Sequence, residues 1–160
     1  MNSLSVNIRT ALPGDEDLLT RIINKAFRSA EAFFVNGDRI DLQEVGDLLR
    51  RGTFLLAEDQ GKGIGCVYVE PIGNRAYLGL LSVEPPVQRC GLGSLLMRAG
   101  ERYCIDRGCE FIDLKIVNVR SELPEFYEKR GYIESGTSAF PAEVETKVPC
   151  WFIDMSKRIR

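Results

Sequence analysis

Between Leu81 and Leu96 the chain reads Leu-Ser-Val-Glu-Pro-Pro-Val-Gln-Arg-Cys-Gly-Leu-Gly-Ser-Leu-Leu. An apolar strand runs into two prolines that prevent its continuation, and Gly91 and Gly93 then open a helix. The first N–H groups of a helix have no intrahelical acceptor and carry positive partial charge. Glycines let an anion approach those groups closely. The spacing points to a phosphate or pyrophosphate cradle at this glycine-rich helix start, helped by Arg89. A dinucleotide fingerprint would need a glycine where Leu96 stands, and a P-loop would need a lysine between Gly93 and Ser94. A glycine-rich helix start without any ligand is the plain alternative.

What the chain lacks prunes the chemistry further. It contains no histidine. That removes Ser-His and Cys-His nucleophiles, histidine-ligated metals and histidine pH switching. Five cysteines, Cys66, Cys90, Cys104, Cys109 and Cys150, form no CxxC pair. An odd count without that spacing argues against a zinc site or a disulfide framework, and implies reduced thiols in a cytoplasmic protein with no metal. Basic residues number 21 and acidic residues 23, net −2, which argues against a nucleic-acid partner. No apolar run approaches the roughly 20 residues of a membrane span. Met1–Thr10 lacks the apolar core of a secretory leader.

The elements that must position the cradle follow from periodicity. Residues 5–10 read as a strand. A helix after Pro13-Gly14-Asp15 carries Leu19, Ile22, Ile23, Ala26, Phe27 and Ala30 on one face. Asp41 and Glu44 cap a second short helix that ends at Gly52. Strands at 53–58 and 65–70 are joined by Asp59-Gln60-Gly61-Lys62-Gly63, which is hairpin chemistry. Residues 76–83 are nearly all apolar, as in a strand buried on both faces. A helix over 91–107, a strand over 111–117, a short helix over 121–130 and strands at 132–136 and 151–155 complete the order βααβββαβαββ. Strand 76–83, helix 91–107 and strand 111–117 make a parallel βαβ unit with a right-handed crossover, inside an otherwise antiparallel sheet. The expected fold is α/β (α+β), one domain over residues 1–160.

Two motifs on these elements resemble a known family. Val83-x-Pro85-x-x-Gln88-x-x-Gly91-x-Gly93 is similar to the acetyl-CoA signature of the GNAT acyltransferase superfamily. Phe126-Tyr127-Glu128-Lys129-Arg130-Gly131-Tyr132 resembles that family's helix-end motif, and Asn118 matches the asparagine after its fifth strand. The element order matches as well, so the resemblance spans essentially the whole chain.

The resemblance implies a GNAT-like fold whose fourth and fifth strands splay apart. It implies acetyl-CoA as co-substrate, with pantetheine on the backbone of Leu81, Ser82 and Val83 and pyrophosphate on the loop from Gln88 to Ser94. It implies Tyr127 as the acid that protonates the departing thiolate. Lys129 and Arg130 either reach the 3′-phosphate or simply suit the helix dipole, and Arg120 is a similar case. The cradle reading favours the backbone of Cys90 over its sulfur. Direct transfer to an amine needs no protein nucleophile, which agrees with the missing histidine.

The base is open, because strand 76–83 holds no carboxylate; water, Tyr77, Glu31 and Asp38 are the candidates. Segment 31–39, Glu-Ala-Phe-Phe-Val-Asn-Gly-Asp-Arg, either plugs the core with Phe33 and Phe34 or lines an acceptor pocket with Glu31 and Phe34. The expected activity is an acetyl-CoA-dependent N-acetyltransferase acting on a primary amine of a small molecule or a protein. The alternatives are a non-catalytic acyl-CoA-binding sensor or interaction module, and an enzyme using longer acyl chains. Monomer and homodimer are both compatible with such a chain.

Overall fold

The computed structural model describes residues 5–88 and 90–160. Its elements are β1 (Val6–Thr10), α1 (Glu16–Glu31), α2 (Leu42–Arg51), β2 (Thr53–Asp59), β3 (Lys62–Ile72), β4 (Arg75–Val83), α3 (Leu92–Asp106), β5 (Phe111–Val117), α4 (Leu123–Glu128), β6 (Ile133–Ala139) and β7 (Trp151–Arg158), with a 3₁₀ turn at Pro85–Val87. The seven strands form one sheet in the order β1-β2-β3-β4-β5-β7-β6. Only β4 and β5 pair in parallel. The mixed sheet with a central parallel unit is the architecture expected from the sequence. Among the described residues no helix is long and apolar enough to cross a membrane.

Helices cover both faces, and strand alternation sorts the core between them. Phe54, Leu56, Cys66 and Tyr68 pack with Leu19, Ile22, Ile23 and Val45 of α1 and α2. Their neighbours Leu55, Ala57, Val67 and Val69 point the other way, onto Leu92, Leu96 and Met97 of α3. The doubly buried strands are therefore β2 and β3. In β4, by contrast, Tyr77 and Gly79–Leu81 are only half-buried. The even apolarity of residues 76–83 suggested burial on both faces; here the strand borders a cavity instead, as described below.

Local chemistry sets the joints. The Asp41 carboxylate accepts the Glu44 N–H at 2.8 Å and caps α2. The β2–β3 turn has two central residues, Gln60 and Gly61, both at positive φ (50° and 78°), the geometry of a type I′ hairpin. α4 is shorter than the 121–130 expected; Leu123 N–H bonds to Arg120 carbonyl oxygen, so the chain turns before Pro124 enters the helix.

Gly52 joins α2 to β2 against the third strand. A Cβ there would stand 2.6 Å from both the Val69 carbonyl oxygen and the Tyr68 hydroxyl. The first is backbone of a central strand and cannot yield. Gly52→Ala is expected to destabilise the fold by about 3 kcal/mol, the upper part of the overpacking range, even though the glycine's φ is extended. Differential scanning calorimetry should show the midpoint falling by roughly 6–12 °C; an unchanged midpoint would mean that β3 can shift.

Candidate active site

β4 and β5 stay paired for only three residue pairs, Arg75–Phe111, Ala76–Ile112 and Tyr77–Asp113. Beyond them the strands diverge, and Leu78–Val83 have no β5 partner. A bulge helps to open the gap: the β3–β4 register slips between Cys66 and Tyr68, and Leu80 sits at φ 53°. A leucine in the left-handed region is strained, and such bulges re-aim a strand. A cavity of about 1050 Å³ occupies the gap and continues beneath the segment after α1.

At one end lies the start of α3. Gly91, at φ 80°, is its N-cap; among the described residues no side chain caps the helix, and its first turn holds no acid. The first intrahelical bond runs from Leu95 N–H to Gly91 carbonyl oxygen at 3.1 Å, so the N–H groups of Leu92, Gly93 and Ser94 lie ahead of it. Arg130 crosses from the end of α4. Its Nε donates to Ser94 Oγ at 3.0 Å, another guanidinium nitrogen also reaches that oxygen, and the guanidinium stacks 3.6 Å over the Phe126 ring. Gln88 Nε2 donates to Val83 carbonyl oxygen at 3.0 Å and fixes the loop to the end of β4. This end is a polar helix terminus, uncapped among the described residues and beside Arg130, suited to an anion.

Tyr127 lines the middle. It is 7% exposed and is held edge-on by Phe126 (5.0 Å between ring centres) and Tyr132 (5.9 Å). Gly131 at φ 94° ends the helix, and Tyr132 N–H returns to the Tyr127 carbonyl oxygen at 3.1 Å. The Tyr132 hydroxyl donates to Glu101 at 2.9 Å, which anchors this corner. Burial pushes the Tyr127 hydroxyl up to about 12, with Arg120 and Arg130 pulling the other way. It is a neutral phenol at physiological pH, able to give a proton.

Glu31, the last residue of α1, faces the far end. It is 8% exposed, and its carboxylate lies 3.6 Å from the Arg120 guanidinium, which also holds Glu122 at 3.0 Å. Burial raises its carboxyl above the ordinary range, against the pull of Arg120 and Arg39. Tyr77 also lines this end, its hydroxyl pushed upward mainly by burial. Asp38 is exposed at the rim and paired with Arg28.

One cavity thus brings together Leu81, Val83, Gln88, Gly91, Gly93, Ser94, Tyr127, Glu31 and Tyr77. Other residues singled out from the sequence stand off its wall. Phe34 is fully buried behind it while Phe33 is 59% exposed, so the pair splits between core and surface. Asn118 Oδ1 accepts the Trp151 N–H at 2.8 Å and clamps β5 to β7. Lys129 is exposed and pairs with Glu125 at 3.0 Å. The Ser82 hydroxyl is buried and donates to Leu80 carbonyl oxygen. The Leu92 side chain is core and Cys90 is exposed. Arg89 lies outside the described residues. Arg120, weighed with the cofactor cations, does line the cavity, but at its far end against Glu31.

The β6–β7 loop also contributes to the cavity. Phe140, Pro141 and Val144 line the far end. The loop is tied to the segment after α1: Val35 bridges Thr146, Lys147 N–H donates to Phe34 carbonyl oxygen at 2.8 Å, and Lys147 Nζ to that of Ala32 at 3.1 Å. No periodicity marks residues 140–149; only Phe140 and Pro141 in a polar stretch hinted at a role.

Residues 18–132 match the acetyltransferase (GNAT) family. The mycothiol acetyltransferase of Amycolatopsis mediterranei (strain U-32) is 29% identical over 143 residues, covering 82% of this chain and 48% of the relative, so the chain spans about half the length of that protein. Among solved structures, Ard1 from Thermoplasma volcanium superposes with a TM-score of 0.79 at 20% identity, over 98% of this chain and 99% of that one. The PaiA N-acetyltransferase from Thermoplasma acidophilum, solved with coenzyme A, gives 0.71 at 17% identity, over 97% and 99%. At these identities the two structures establish a shared fold.

Proposed function

The chain belongs to the acetyltransferase (GNAT) family, and from that premise we propose that it transfers an acetyl group from acetyl-CoA to a primary amine in the cytoplasm. The observation that carries this reading is the gap between β4 and β5, which runs from an uncapped helix terminus to a buried carboxylate, with Tyr127 on its wall.

Each of these residues has a task. The N–H groups at the start of α3 and the Arg130 charge receive the pyrophosphate. The β4 backbone beyond Tyr77, unpaired toward β5, receives the pantetheine arm and polarises the thioester carbonyl. Glu31 accepts a proton from the amine as its nitrogen attacks the acetyl carbon, and its raised pKa makes it a stronger base than an exposed carboxylate. Tyr127 gives its proton to sulfur as the carbon–sulfur bond breaks. The products are an acetamide and free CoA thiol. Glu31 supplies the carboxylate that strand 76–83 lacks, which favours an enzyme over a silent binding module. The cysteines are all free thiols, in keeping with a reducing compartment.

A thermal-shift titration with acetyl-CoA, CoA, NAD and ATP tests the cradle. Acetyl-CoA at 100 times its dissociation constant should add about 2.7 kcal/mol of apparent stability, and NAD and ATP should add little. Thiol release with an amine panel then tests transfer. Stabilisation without thiol release from any amine would indicate the binding module; no shift with any CoA species would overturn the reading.

A further inference from the structure

The acceptor end holds a cation that its own carboxylates leave unmatched. We infer that the amine taken there carries a carboxylate, in a small amino-acid-like molecule with an apolar body. This rests on the acetyl-transfer reading of the site.

The charges can be followed one by one. Arg28 pairs with Asp38. Arg120 pairs with Glu31 and Glu122. Lys115 bonds to Asp154 at 3.2 Å and to Ser138 at 2.7 Å. Arg39 lines the same cavity, yet among the described residues it is paired with no carboxylate. Its neighbour is the Phe27 ring, 5.6 Å from the guanidinium. Its charge is felt by both Glu31 and Tyr77, so it addresses the space where the amine must sit.

A guanidinium in that position offers a planar fork that matches a carboxylate with two parallel hydrogen bonds. Glu31 and Arg39 bracket segment 31–39, one suited to an amine and the other to an acid. The same cavity has an apolar wall: Phe140 and Phe152 pack with ring centres 5.1 Å apart, and Val144 also lines it. A peptide amino terminus has no carboxylate beside its amine, and a polyamine would bring further cations toward Arg39. An amino-carboxylate with an apolar body complements all three surfaces.

The test compares an apolar amino acid with its amide and its decarboxylated amine, scanning α-, β- and longer spacings. It uses wild-type protein, Arg39→Gln and Arg39→Lys. Transfer is read as kcat/KM from thiol release, and binding as thermal shift in the presence of CoA. The wild type should favour the free carboxylate at least about ten-fold, as expected for one charge-assisted pair. Arg39→Gln should collapse that ratio toward one through KM, and Arg39→Lys should retain part of it. Turnover of the amide or decarboxylated amine at equal or higher efficiency would overturn the inference while leaving acetyl transfer standing. Arg39-dependent binding of the amino-carboxylate without thiol release would uphold the inference about the ligand and overturn the enzymatic reading. Neither binding nor turnover would overturn both.

Discussion

Replacing Tyr127 by phenylalanine is expected to lower the maximal rate about 10²- to 10⁴-fold while leaving acetyl-CoA binding nearly intact. The substitution removes one oxygen and keeps the ring, so the edge contacts with Phe126 and Tyr132 survive. What is lost is a proton donor held neutral by burial on the cavity wall. Steady-state rates under saturating acetyl-CoA, set beside the thermal shift of the same variant, separate chemistry from binding. A rate within a factor of about two of wild type would mean that solvent protonates the sulfur, and Tyr127 would then be a packing residue.

Glu31→Gln should be comparably severe and has a second signature. The base works only when ionised, so wild-type activity should rise with pH through the Glu31 pKa. Burial moves that limb to higher pH than an exposed carboxylate would give. The variant lacks the limb and should lose about 10²-fold or more at neutral pH. Stability runs the other way. The folded pKa lies above the unfolded one, so the stabilising contribution of the protonated form is complete below the ordinary carboxylate pKa. It fades as pH rises through the raised folded value. The amide mimics the protonated acid, and Arg120 keeps Glu122 as partner. At pH 7 the variant should therefore unfold no earlier than wild type. A lower midpoint with the same pH profile would make Glu31 a structural residue.

Much of this was legible because backbone chemistry is local. Pro85, Gly91 and Gly93 announce a strand end and an open helix start, and alternation across residues 111–117 announces a strand. The far end of the cavity was not legible in the same way. It is built where residues 31–39 and 140–149 meet, and neither segment has a period. Phe33 and Phe34 are identical in type; Phe34, the one that turns inward, is also the one whose carbonyl accepts the N–H of the distant Lys147. The apolar run 76–83 resembled a doubly buried strand because a cavity wall and a packed core draw on the same residues. Arg39 was one cation among many until its neighbours proved to have partners.

The three residue pairs joining β4 to β5 are also a seam in time. Strands β1–β4 come from the first half of the chain and β5–β7 from the second, and among the described residues this short ladder is the strand pairing that joins the two half-sheets. In Leu78–Val83 some amides pair with β3, and the rest, at the bulge and on the β5 side, have no strand partner. The second set should trade deuterium with solvent freely while the first stays guarded. A co-substrate lying along the gap would close them as a missing strand does, without any shift of the sheet. Exchange at these few amides would then report occupancy residue by residue, and would show whether the two half-sheets breathe apart when the wedge between them is removed.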